Sequence, residues 1–295
     1  MIDLQTALEA CRFLHNASLM FLWGTSAFLC ILVPRPLATT IWHALGRALA
    51  VAAAVAIATT ILSLPLEAGS IGDGWNGAID PATVHDVLFE TTVGQAWQVQ
   101  VVAAALLAMA FLAPKKMRMA LVAFASGFSL ASLALTGHAS MHQGWLELVH
   151  RSNDVIHVLS SGAWVGALVP LASALGLLAD DRFRADAQLA LRRFSNVGHG
   201  AVALVIVSGI FNTLLVLQRL PTDWSSPYQM LLAAKILLVF SMIGLAIANR
   251  YIFVPWMAKS PTQTIEAVRL GCVAEIVLGL IVLALVAIFG ILEPV

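Results

Sequence analysis

Eight stretches of about 20 apolar residues follow one another along this chain, and a bilayer's hydrocarbon core needs about that many per helical crossing. They run over about 12–34, 41–64, 94–113, 118–137, 152–178, 197–218, 229–250 and 270–292. Proline, glycine or charge interrupts them at Pro34/Pro36, Pro65, Pro114, Gly137, Asp180/Asp181, Pro221 and Pro261, where each would end a span. Backbone in lipid must satisfy its own hydrogen bonds, and segments of this length do so as helices. Only 11% of the residues are charged, against roughly 25% in a soluble domain. The fold class follows: an all-α, polytopic bundle of eight transmembrane helices in one domain, residues 1–295.

Lysine and arginine in the connections orient such a bundle. The first, third, fifth and seventh connections hold Arg35, Arg47, Lys115, Lys116, Arg118, Arg182, Arg184, Arg192, Arg193, Arg250, Lys259 and Arg269, while the other side has Arg12, Arg151 and Arg219. Twelve against three places both termini outside, which in a bacterial inner membrane is the periplasm. The acidic N-terminal stretch lacks a basic region and does not read as a cleaved signal peptide. Net charge is zero, which argues against nucleic acid. Cys11, Cys30 and Cys272 are widely separated and form no disulfide framework. The 65–93 connection is acidic and glycine-rich, and reads as irregular loop with a short amphipathic piece after Pro81.

Metal-ligating side chains gather on the outward side: His15, His85, His138, His142, His150 and His157, with Met141 between two of them. His150, Asp154 and His157 stand at i, i+4 and i+7, and Cys11 and His15 four apart, so each set shares a helix face. Imidazole, thioether and thiol suit copper better than calcium or magnesium. Lys235, inside the seventh span, needs a partner, and Asp154 is the carboxylate nearest its level, either as ligand or as support. On the other side Asn249, Arg250 and Glu275 suggest an interhelical clamp, Arg250–Glu275 or Asn249–Glu275. Each has a plainer reading. His85 and His43 anchor at headgroups, His142 and His150 sit in solvated loop, His157 makes a structural hydrogen bond, and Cys11 is a small hydrophobe. Trp75, Trp97, Trp145 and Trp224 read as interfacial belt. The midplane is poor in ligands.

The stretches GHASMH, DVIHVLSSGAWVGAL (154–168), RRFS (192–195), SGIFNT (208–213) and SPYQMLLAAKILL (226–238), with Asn249–Arg250 and Glu275, resemble the copper resistance protein D family (CopD/PcoD). The likeness runs from about residue 130 to the end, with D-x-x-H…W-x-G as its most specific part. It implies an inner-membrane copper-handling protein that works with a small periplasmic copper-binding partner of the CopC type, here a separate chain. It points to Asp154, His157, Trp164, Gly166, Lys235 and Glu275 as functional or architectural positions. Trp164 reads as packing, and Gly162 and Gly166 as a small-residue face for close helix approach.

The leading expectation is therefore a non-enzymatic copper-binding transporter. Its ligands would be His138, His142, His150 and His157, with Met141 and Cys11 favouring Cu(I), Asp154 suiting Cu(II), and His15 nearby. A second expectation is a b-type haem protein with His15 and His157, or His138 and His157, as axial ligands, which would give it a redox role. A third is a protein that docks the periplasmic partner through the acidic 65–93 connection and transports nothing.

Overall fold

The computed structural model describes residues 3–137, 143–253 and 261–290. Its helices are α1 (Leu4–Ile31), α2 (Arg35–Ala44), α3 (Gly46–Ile71), α4 (Gly74–Ile79), α5 (Pro81–Glu90), α6 (Thr92–Leu112), α7 (Lys115–Ser132), α8 (Trp145–Val165), α9 (Leu168–Gly176), α10 (Arg184–Leu217), α11 (Pro227–Ala248) and α12 (Pro261–Phe289). Among the described residues there is no strand, and eight helical segments are long and apolar enough to cross a membrane. They match the eight apolar stretches one for one.

The 65–93 connection departs from the expected loop. Helix α3 continues through Pro65 to Ile71, and α4 and α5 then fold back against it. Proline in a helix removes one backbone hydrogen bond, and neighbouring polar groups make this tolerable in an apolar setting. One turn ahead of the proline, Trp97 Nε1 (2.7 Å) and Ser63 Oγ (2.9 Å) donate to the Thr60 carbonyl and tie α6 to α3 there. The amphipathic piece after Pro81 is present as α5, with Val87 buried and Asp80 capping its start through the Thr83 amide. The Thr83 hydroxyl and amide hold the Asp80 carboxyl below the usual carboxylate range.

Helix α1 joins two groups of spans. On one side it packs on α3 and α7, with α6 closing that set; on the other it packs on α8 and α12, which lead to α10 and α11. The α1–α8 contact rests on glycine. A Cβ on Gly24 would overlap the Gly162 carbonyl, and one on Gly166 would overlap the Met20 carbonyl. Backbones that close can exchange polar contacts: Trp23 Nε1 donates to the Leu159 carbonyl (2.9 Å) and Thr25 Oγ1 to the Gly166 carbonyl (3.3 Å). The small-residue face expected at Gly162 and Gly166 is thus the α1–α8 seam. Just past it the fifth span breaks between α8 and α9.

The two ends of the bundle differ. The end that carries Arg35, Arg47, Lys115, Arg184 and Arg193 is packed shut by Phe28, Leu37, Ile41, Leu168, Leu171 and Phe183. The other end, where α1 and α8 start and α3 and α10 finish, encloses a cavity.

Candidate copper-binding cavity

All eight spans send residues from this one end into a cavity of about 360 Å³. Cys11 and His15 come from α1, Thr59 and Glu67 from α3, and Trp97 from α6. Thr136 follows α7; His150, Asp154 and His157 come from α8, and Asn212 from α10. Lys235 on α11 and Phe289 on α12 complete the wall. The i, i+4, i+7 stripe and the Cys11/His15 pair therefore face one common space, as helical spacing requires of residues on one face.

Cys11, His15, Asp154 and His157 are each tied to a neighbouring helix. The Cys11 thiol donates to the Thr59 carbonyl (3.4 Å), and His15 Nδ1 lies 2.9 Å from Thr59 Oγ1. Asp154 Oδ1 accepts from Asn212 Nδ2 (3.0 Å), and Asn153 Nδ2 donates to Asn212 Oδ1 (2.6 Å) and to the Ser208 carbonyl (2.9 Å). His157 Nδ1 lies 2.9 Å from Ser208 Oγ. His150 is buried, at 2% exposure, so the solvated-loop reading does not hold for it: α8 begins earlier than expected, at Trp145. Arg12 pairs with Glu67 (2.8 Å) where α1 meets α3.

Lys235 and Asp154 share the cavity wall, but no ion pair joins them among the described residues. Asn212 occupies the carboxylate instead, and Lys235 Nζ sits 5.6 Å over the Phe289 ring, a cation–π distance. Among the described residues no three histidine, cysteine, aspartate or glutamate side chains stand close enough to hold an ion as they are. His138, Met141 and His142 lie outside the described residues. Trp97 is a cavity residue as well as a helix-end tryptophan, whereas Trp145 and Trp224 are exposed, as a belt requires.

Glu275 belongs to a separate cluster towards the closed end. It is 2% exposed and accepts a hydrogen bond from Asn249 Nδ2 (2.9 Å). The expected clamp is thus Asn249–Glu275, and Trp164 is buried in a cluster with Val205 and Met242, in keeping with packing. The Asn249 side chain lies over Gly271, where a Cβ would overlap it. A π-helical turn, Asn249–Phe253, begins there; such turns re-aim side chains within a helix. Arg250 turns instead towards Asn196, 3.5 Å away. His43 and His85 are exposed, in keeping with anchoring.

Thr59, Asn153, Ser208 and Asn212 were not singled out from sequence, although they hold the site's side chains in place. The available signal was Ser208 and Asn212 at i, i+4 opposite the adjacent Asn153 and Asp154.

Comparison with known proteins places the chain. A family model described as "Copper resistance protein D-like, N-terminal domain" matches residues 1–148, and "Copper resistance protein D" matches residues 188–289. The chain belongs to the copper resistance protein D family. The first four spans therefore carry family sequence of their own, beyond the likeness from residue 130 onward. The inner membrane protein YebZ of Escherichia coli is 31% identical over 287 residues, 97% of each chain. Copper resistance protein D of Pseudomonas syringae pv. tomato is 29% identical over 83% of each chain. The copper transport protein CutJ of Bacillus subtilis is 32% identical over 62% of this chain and 35% of its own. No solved structure matches.

Proposed function

We propose that this protein takes up copper at the cavity on the periplasmic face of the bacterial inner membrane and passes it across. The observation that carries the reading is the convergence of all eight spans on one cavity lined by Cys11, His15, His150, Asp154 and His157. Intramembrane ionisable groups facing a common space are functional by default, and this thiol–imidazole set is soft enough for copper. Relatives named for copper resistance and copper transport support the metal. The excess of Lys and Arg at the closed end supports the orientation. The exposed carboxylates of the 65–93 connection, Asp73, Asp86 and Glu90, would receive a separate periplasmic copper-binding protein of the CopC type.

The side chains as they stand are held by their helix neighbours, and copper would keep some of those contacts and replace others. His15 and His157 keep Nδ1 engaged and use the other ring nitrogen, while Cys11 gives up the Thr59 carbonyl. The role is binding and translocation rather than catalysis. Purified protein should bind about one copper per chain, and His157→Ala should weaken that binding strongly. Unchanged affinity in that variant, or a Soret band in the purified protein, would count against it.

A further inference from the structure

His15 and His157 reach the cavity from different helices and yet are held in the same way. His15 Nδ1 lies 2.9 Å from Thr59 Oγ1 on α3, and His157 Nδ1 lies 2.9 Å from Ser208 Oγ on α10. Neither hydroxyl was among the residues read as functional.

A hydroxyl has one hydrogen to give and lone pairs to receive. Both of these hydroxyls have a backbone carbonyl to give theirs to. Thr59 Oγ1 donates within its own helix to Val55 O (2.8 Å) or Ala56 O (3.0 Å), and Ser208 Oγ to Leu204 O (2.5 Å) or Val205 O (3.3 Å). What each hydroxyl then turns to the imidazole is an acceptor. A bare Nδ1 there would set lone pair against lone pair. The hydrogen of the neutral ring therefore sits on Nδ1, and the lone pair on Nε2. Gly209, beside Ser208, leaves room for the His157 ring, which stands 3.3 Å from where a Cβ would be.

We propose that Thr59 and Ser208 are positioning residues that hold His15 and His157 as Nδ1–H tautomers, so that both rings present Nε2 to a soft cation in the cavity. This rests on the copper reading above for its purpose, but the tautomer is a property of the unloaded protein and is tested without metal. Partners of this kind orient metal-binding imidazoles and raise their basicity.

The test is nitrogen NMR of the full-length chain with 15N-labelled histidine in lipid nanodiscs, free of metal, with signals assigned by replacing one histidine at a time. The expected result is a protonated Nδ1 and a bare Nε2 at both His15 and His157. Thr59→Val and Ser208→Ala should each release their own ring into a tautomer mixture, and Thr59→Ser should keep it fixed. In chelator competition, copper(I) affinity should fall about 10- to 100-fold in the two hydroxyl-free variants and recover in Thr59→Ser. Protonated Nε2 in the wild-type protein, or tautomers unmoved by both substitutions, overturns the proposal. Tautomers as expected, with copper(I) affinity unchanged in both His15→Gln and His157→Gln, would instead overturn the copper reading beneath it.

Discussion

Gly166→Ala is the sharpest test of how this bundle is held together. A Cβ at Gly166 would overlap the Met20 carbonyl oxygen and stand 2.9 Å from its carbon, where ordinary contact begins at 3.4 Å. The oxygen is the tighter of the two contacts, so the two helices must part by more than about an ångström, since interiors packed to crystal density have no slack. The obstacle is backbone, which cannot rotate aside as a side chain could. Overpacking of this kind costs about 1–3 kcal/mol, and the rigid obstacle places Gly166 at about 3 kcal/mol. The same displacement stretches the Thr25–Gly166 and Trp23–Leu159 hydrogen bonds. Gly198→Ala in α10 is the control: nothing lies within 4 Å of its Cβ position, and better helix propensity should stabilise it by up to about 1 kcal/mol. Unfolding of both variants in the same detergent, followed by helical signal, gives the comparison. Gly166→Ala as stable as Gly198→Ala would refute the seam.

Asn249→Ala should destabilise by about 1–3 kcal/mol, because it strips a partner from a buried carboxylate; Glu275→Gln, which keeps a hydrogen-bonding group, should cost less in the same unfolding assay. Trp23→Phe should lose about 0.6 kcal/mol, typical of an interhelical hydrogen bond in a membrane bundle. Helix α5 should fray at low pH. The Asp80 carboxyl titrates below its usual range when folded, so its cap is intact above the unfolded value and lost as pH falls through the folded one. Hydrogen exchange at Thr83 and Val84 should report this loss, and Asp80→Asn should flatten the pH dependence.

The spans were legible because a bilayer imposes a length and proline or charge imposes the ends. The stripe His150, Asp154, His157 was legible because helical spacing alone puts those residues on one face. Pro65 misled: α3 runs through it to Ile71, because a helix packed in an apolar bundle tolerates the loss of one backbone hydrogen bond. The Lys235–Asp154 pair was inferred from depth, and depth cannot show that Asn212 takes up the Asp154 carboxylate and that Lys235 lies over the Phe289 ring. Thr59 and Ser208 escaped notice for a related reason. A lone hydroxyl in an apolar helix looks like filler until the helix packed against it supplies a histidine, and those partners lie 44 and 51 residues away in the chain.

Uptake of isotopic copper into inside-out and right-side-out vesicles tests the central claim most directly. Copper movement should begin from the face bearing the cavity and be lost in His157→Ala with the protein still folded and inserted. Equal movement with and without His157, or movement that begins only from the face bearing Arg35 and Lys115, would contradict it.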